Sequence, residues 1–232
     1  MPESRSVFIT GAAAGIGRKT AIAFAKKGYT VGAFDIDEVG LKTLTEELER
    51  IRTTVITGHL DVTDSEEMDL AGHLKEIDIN TKGVVNGLYA AFPHLRATPN
   101  SVVVNLASAS AIYGQAELAN YSATKFFVRG ITEALDLEWG RYGIRVIAMW
   151  PLYVQTAMTE NVTIGTTQSL GIRLTAQDIA DAIVAAVEPS ALRRAVHQVH
   201  FPVGVQSKVL ASGARFSPAW LTRLVNKKLA HS

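Results

Sequence analysis

Tyr121 and Lys125 stand four residues apart, a spacing that places both on one face of a helix. At that distance an ammonium group can depress a phenol whose ordinary pKa is about 10. A phenol tuned in this way can take a proton from an alcohol or give one to a carbonyl. Ser108 lies 13 residues before Tyr121, just past the apolar run SVVVNL at 101–106. In a parallel sheet the ligand crevice opens at the C-terminal strand ends, so a hydroxyl there can hold a substrate oxygen. Taken singly, Tyr-x-x-x-Lys and a loop serine are also ordinary structural features.

A second group of residues suits a nucleotide. The run TGAAAGIG at 10–17 follows a β-rich stretch and opens a helical one. Gly11 permits a tight turn, Gly15 lets backbone approach a pyrophosphate, and Gly17 lets helix and strand pack closely; the N–H groups from Ile16 onward then face the phosphate charge. Asp35, with Ile36 beside it, ends the next β-rich run 18 residues after Gly17. An acid at that place can accept hydrogen bonds from both hydroxyls of an adenosine ribose and would repel a 2′-phosphate. No Lys or Arg occupies positions 12–14, so the pattern favours NAD over NADP. Asp61 and Val62 close the third β-rich run and can touch an adenine, although an acid there is equally an ordinary strand end.

Such residues need strands that end on a common edge and helices that start there. Short β-rich runs at 6–10, 30–34, 54–60, 101–106, 144–149 and 196–201 alternate with helical patterns at 16–27, 39–50 and 121–139. Pro151 stops the fifth run. Thr175 followed by Asp178 reads as a capping box that opens a helix to 187, and a terminal helical region follows Pro218. This grammar predicts an α/β fold with a doubly wound, Rossmann-type parallel sheet. With 232 residues, the whole chain from 1 to 232 fits one dinucleotide-binding domain with a single core.

Taken in order, TGAAAGIG, Asp61-Val62, Asn80 in IDIN, Ser108, Tyr121-Ser-Ala-Thr-Lys125 and Pro151-x-x-Val154-x-Thr156 resemble the motifs of classical short-chain dehydrogenases. The set spans positions 10–156. The resemblance implies an NAD(H)-dependent oxidoreductase that interconverts a secondary alcohol and a ketone by hydride transfer. It makes Tyr121 the general acid/base, with Lys125 lowering its pKa and binding the nicotinamide ribose. Ser108 then orients the substrate, Asn80 holds a proton-relay water, and Pro151, Val154 and Thr156 border the nicotinamide. It also implies a homodimer or homotetramer built through the helices that hold Asn80 and Tyr121.

Two departures from the family pattern stand out. Only 18 residues separate Asp61 from Asn80, where the family places a helix, its fourth strand and an Asn-Asn-Ala-Gly turn. Roughly 30 to 40 residues, about one αβ unit with a loop, therefore have no counterpart. Losing a central strand leaves ladder groups unpaired, so its neighbours must close up or the sheet must split. Either a parent chain carries the segment and is an ordinary enzyme, or the short chain is genuine. The second case allows a non-catalytic Rossmann-like interaction protein with an impaired cofactor pocket. The smaller departure is Leu152, where the family commonly has Gly; a leucine there can reach towards the substrate. Residues 158–174 are suited to a lid but name no ligand.

Bulk composition narrows the rest. Content of 47% hydrophobic and 19% charged residues is that of a globular protein. Twenty-three basic residues against 22 acidic ones give no reason to expect a nucleic-acid surface. The absence of cysteine excludes disulfides and thiolate nucleophiles. The six histidines form no ligand cluster, so no metal site is expected. The start MPESRSVFIT lacks a signal-type apolar region and no stretch is long enough to span a bilayer, which points to a cytoplasmic protein acting on a small-molecule alcohol or carbonyl. The end of the chain is basic, with Arg215, Arg223, Lys227 and Lys228 and no nearby acid. That suits either a solvated helix face or contact with an anionic partner. Trp220, with Phe216 and Leu221, can lie at a substrate entrance, a subunit contact or in the core.

Overall fold

Alternating small and branched residues in TVGAFD let Val31 and Ala33 turn inward, while the i, i+3, i+7 spacing of Leu41, Leu44 and Leu48 gives the following helix one apolar face. These residues sit at the centre of the first of two units in the computed structural model, which describes residues 5–60, 69–156, 171–189 and 196–230. Asp61, Val62 and residues 158–170 of the suggested lid lie outside the described residues. The first unit holds strands β1 (Ser6–Thr10), β2 (Thr30–Asp35) and β3 (Val55–His59), all parallel with β2 in the middle. Helices α1 (Gly15–Lys26) and α2 (Glu38–Arg50) pack on this sheet, and Asp37 caps α2 by accepting from the Gly40 N–H at 2.9 Å. The core joins Ile22, Val31, Ala33, Leu41, Leu44 and Leu48.

The second unit is built round a strand that is apolar on both faces. Val146, Ile147, Ala148 and Met149 of β5 (Arg145–Pro151) are buried throughout, because β4 (Val102–Leu106) and β8 (His200–Val203) flank it in parallel. Helix α5 (Ala119–Gly140) covers this sheet and buries Val128 and Trp139. Before β4 the chain runs as α3 (Asp69–Ile77), a π-helical turn at Asp78–Gly83, and α4 (Val84–Ala97). Two short strands, β6 (Val154–Gln155) and β7 (Leu174–Thr175), pair with each other. Helix α6 (Ala176–Val187) belongs to the first unit and opens with the capping box expected at Thr175 and Asp178. After β8 come α7 (Gly204–Phe216) and α8 (Ala219–Ala230).

The doubly wound parallel pattern is therefore present, and its sheet is divided. Among the described residues no strand lies between β3 and β4, and β1 and β4 each pair on one side only. Of the two outcomes expected from the short interval between Asp61 and Asn80, closing up or splitting, the described strands show the second. Two strand boundaries differ from the sequence reading. β5 runs on to Pro151, which Val203 faces across the ladder, because β4 stops pairing at Met149 and asks nothing of the proline. The last strand starts at His200, since His197 has a left-handed φ of 46° and belongs to a turn.

Candidate active site

The candidate chemical residues Ser108, Tyr121 and Lys125 gather in the second unit, at the C-terminal end of β4 and the start of α5. Ser108 leaves β4 in extended conformation and begins a single 3-10 turn, Ala109–Ala111. Its buried hydroxyl accepts from the Ser110 N–H at 3.1 Å, and Ser110 Oγ and the Pro151 carbonyl stand 3.1 and 3.4 Å from it. The same hydroxyl is close enough to the Tyr121 phenol to hold its pKa down. Lys125 lies one turn along α5, with Nζ 5.3 Å from the centre of the Tyr121 ring. That ammonium donates to the Leu106 carbonyl at 3.2 Å, a group on the side of β4 that has no partner strand.

Electrostatics here differ from the expectation drawn from spacing. Burial pushes the Tyr121 phenol up; the Ser108 hydrogen bond pulls it down and the Glu76 carboxylate pushes it up again. Burial brings Lys125 down from 10.5 to about 8, against the attraction of Glu76. The i, i+4 lysine therefore does not leave the phenol depressed. A buried anion loses more solvation than one ammonium, engaged by a carbonyl, returns to it.

Asn80 occupies the π-helical turn, a distortion that often marks functional positions. Its Nδ2 donates to Thr124 Oγ1 at 3.1 Å, and Thr124 donates in turn to the Tyr121 carbonyl at 2.8 Å. Asn80 is thus fastened to the helix turn that carries Tyr121 and Lys125.

A buried polar chain beside Ser108 was not foreseen from the sequence. Ser110 donates to Gln115 Oε1 at 2.6 Å, and Gln115 Nε2 reaches the hydroxyls of Tyr113 and Tyr153 at 3.5 Å each. The Gln115 N–H donates to Ser122 Oγ at 3.0 Å, which ties the loop to α5. Only the density of polar residues in SASAIYGQ hinted at this chain. Leu152 is buried rather than projecting, and Val154 is buried in β6.

Of the candidate nucleotide residues, Gly11, Gly15, Ile16, Gly17, Asp35, Ile36 and Thr156 lie in the first unit, and Lys125, Pro151 and Val154 in the second. Gly11 and Gly15 take left-handed φ of 66° and 52°, and a Cβ on Gly17 would stand 2.0 Å from the Gly11 carbonyl oxygen. The turn and helix therefore meet backbone to backbone, which only glycine allows at position 17. Ala14, at the N-cap of α1, offers no side-chain cap, so no side chain competes for the first N–H groups, those of Gly15, Ile16 and Gly17. Asp35 takes the Ala13 N–H on Oδ2 at 2.8 Å and the Asp37 N–H on Oδ1 at 3.0 Å. Each oxygen keeps a lone pair for a further donor. Ile36 is exposed, and Thr156 lies beside the turn, its Cγ2 3.7 Å from where a Gly15 Cβ would stand. Arg18 lies beside the turn, donating to the Ala13 carbonyl. Its guanidinium is spent on Ala13 and Gly40 carbonyls, Thr43 and the Glu47 carboxylate at 2.9 Å. The uncapped helix start, the glycine cradle and the acid at Asp35 fit a nicotinamide dinucleotide.

Known proteins agree. The sequence profile of the short chain dehydrogenase family matches residues 5–74 and 65–166. The chain belongs to this family. The two matches overlap at 65–74, as expected when a stretch of the family's pattern has no counterpart between them. A 3-oxoacyl-(acyl-carrier-protein) reductase of Thermotoga maritima is 32% identical over 192 residues, 69% of this chain and 78% of that protein. The structure of a 3-oxoacyl-(acyl-carrier protein) reductase with bound NAD from Brucella melitensis is 25% identical with a TM-score of 0.73, over 87% of this chain and 90% of that one. A short chain dehydrogenase from Burkholderia cenocepacia in complex with NADP shares the fold at 20% identity, with a TM-score of 0.79 and 99% of both chains covered. This short-chain dehydrogenase is thus an oxidoreductase of a family that uses nicotinamide cofactors. No described helix is long and apolar enough to cross a membrane, and the described residues hold no cluster of potential metal ligands.

Proposed function

We propose that this protein is an NAD(H)-dependent oxidoreductase that interconverts a secondary alcohol and a ketone, the whole chain serving as one catalytic domain in the cytoplasm. The observation that carries the reading is Lys125 Nζ standing 5.3 Å from the Tyr121 ring centre on one face of α5, with Ser108 close enough to hold the phenol's pKa down. In the reducing direction the Tyr121 phenol gives its proton to the carbonyl oxygen, which Ser108 holds by a hydrogen bond. In the oxidising direction Tyr121 takes the alcohol proton, and the Ser108 hydroxyl stabilises the phenolate by donating to it. Lys125, with a pKa of about 8, is mostly charged at neutral pH and supplies a positive charge beside that phenolate. The dinucleotide, held by Gly11, Gly15, Ile16, Gly17 and Asp35, supplies the hydride acceptor or donor; by the family resemblance Asp61, Val62, Pro151, Val154 and Thr156 complete its contacts, and Asn80 serves the proton relay.

Asp35, and an Arg18 already committed to Glu47, support NAD over NADP. Titration of NADH and NADPH fluorescence against the purified chain tests this. NADH should bind at least about tenfold more tightly, because a 2′-phosphate would meet a carboxylate; tighter NADPH binding overturns the preference. The open sides of β1 and β4 favour a second reading, a non-catalytic interaction protein, and binding of neither nucleotide would support it. A homodimer or homotetramer is supported by the exposure of Tyr89 on α4 and of Phe126 and Leu137 on α5. Sedimentation showing monomer alone would contradict that assembly.

A further inference from the structure

Beyond Glu188 the chain contains no Asp or Glu, while α7 and α8 carry Lys208, Arg215, Arg223, Lys227 and Lys228. The proposed reaction uses none of these cations. α8 is anchored on one side: Asn226 Nδ2 donates to the carbonyl of Gly114, in the loop between Ser108 and Tyr121, and Leu221 and Thr222 are half-buried. Its other side is open. Trp220 is 68% exposed and Leu224 57%, one turn apart, and Phe216 at the end of α7 is 84% exposed. Arg215, Arg223, Lys227 and Lys228 are exposed among and beyond them.

This pairing of groups decides what the face fits. A solvated helix face has no use for Trp, Leu and Phe together, and a phosphate backbone would engage the cations without burying the apolar side chains. A surface of anionic lipid answers both: apolar side chains enter the boundary between headgroups and acyl chains while lysine and arginine meet the phosphates. The described part of the helix is too short to span. Its 12 residues extend about 18 Å, against a hydrocarbon layer of about 30 Å.

We propose that α8, together with Phe216, docks this protein on an anionic lipid surface, lying in the plane of the interface. The docked face then borders the loop that carries Ser108 and Gln115. Trp220 and Leu224 are the apolar anchors, and Arg215, Arg223, Lys227 and Lys228 are the phosphate contacts.

Vesicle binding by the full chain tests the proposal without reference to turnover, so its failure and that of the oxidoreductase reading are distinguishable. Vesicles of mixed phosphatidylglycerol and phosphatidylcholine should bind at least about tenfold more protein than phosphatidylcholine alone, and each cation removed, as in Arg223→Gln or Lys227→Gln, should weaken binding about fivefold. Trp139 and Trp150 are buried, so a blue shift of tryptophan emission on binding reports Trp220. Trp220→Ser and Leu224→Ser alter exposed positions; each should lower vesicle binding about tenfold while leaving the melting temperature unchanged. Four outcomes overturn the proposal: no binding to the mixed vesicles, equal binding to neutral vesicles, binding unaffected by Trp220→Ser with no emission shift, or a lipid-free emission shift on raising protein concentration, which would assign the face to a second copy of the chain. Displacement from the vesicles by short duplex DNA at equal phosphate would also overturn it, in favour of a nucleic acid.

Discussion

Replacing Gln115 with Leu removes the acceptor of the Ser110 hydroxyl, at 2.6 Å, and the two amide contacts to Tyr113 and Tyr153 at 3.5 Å each. The longer contacts lie at the limit of hydrogen bonding and contribute little. The cost comes from Ser110, which is 3% exposed and would keep only Ser108 as a hydroxyl neighbour. A stranded buried hydroxyl costs about 1–3 kcal/mol. Ser110→Ala alone leaves Gln115 Oε1 without its donor and should cost about 1–2 kcal/mol. Removing both partners leaves neither group stranded, so the double variant should lose about 1–2 kcal/mol less than the sum of the single losses. Equilibrium urea unfolding of the four proteins measures the cycle. Gln115→Leu should also lower kcat, because Ser108 loses the chain that fixes its neighbour, with KM much less affected. Additivity within about 0.3 kcal/mol would refute the claim that Ser110 and Gln115 act as a unit beside Ser108.

Two further predictions concern charge and capping. Lys125→Met should abolish turnover yet stabilise the protein at pH 7, because folding there buries a charge whose pKa falls from 10.5 to about 8. With partial exposure discounted, the gain is on the order of 1 kcal/mol. The unfolded chain binds the extra proton between about pH 8 and 10.5, so wild-type stability rises relative to the variant across that window. Thermal melts at pH 7 and pH 10 check both statements, and a variant less stable at pH 7 contradicts them. Thr175→Ala should cost about 1 kcal/mol by removing the capping box that opens α6, read as a lower melting temperature. The Asp178 carboxyl, held below its ordinary pKa by the Thr175 backbone and side chain, contributes stability at neutral pH that is lost as pH falls through its folded pKa, and in Thr175→Ala that acid-dependent loss should shrink.

The parts of this account that were legible in the sequence are those written in short-range pattern. β1, the glycine turn and α1 follow from TGAAAGIG after an apolar run, and the Thr175–Asp178 box follows from residues three apart. The missing αβ unit was legible by counting, since 18 residues between Asp61 and Asn80 cannot hold such a unit and the turn after it, but counting left open whether the neighbouring strands close up or the sheet splits. What escaped was tertiary. Gln115 and Tyr153 meet across 38 residues, and Arg18 finds Glu47 across 29, with no local signal for either. The direction of the Tyr121 shift depends on how deeply the phenol is buried, which spacing along α5 does not encode. Helix α7 was hidden because Gly204, Ser207 and Gly213 are weak helix formers that blur its period, whereas packing of Ala211 against the Ala107, Val128 and Trp150 cluster holds it.

The central claim is that Tyr121 moves the proton in a nicotinamide-dependent reaction. Tyr121→Phe keeps the ring over which Lys125 sits and deletes the hydroxyl whose pKa Ser108 holds down. The most direct measurement is ketone-dependent oxidation of NADH, followed side by side with NADH binding by fluorescence, for the wild type and this variant. The account predicts that turnover falls at least about 100-fold while the dissociation constant for NADH stays within about twofold. A Tyr121→Phe protein that turns over at the wild-type rate would contradict it.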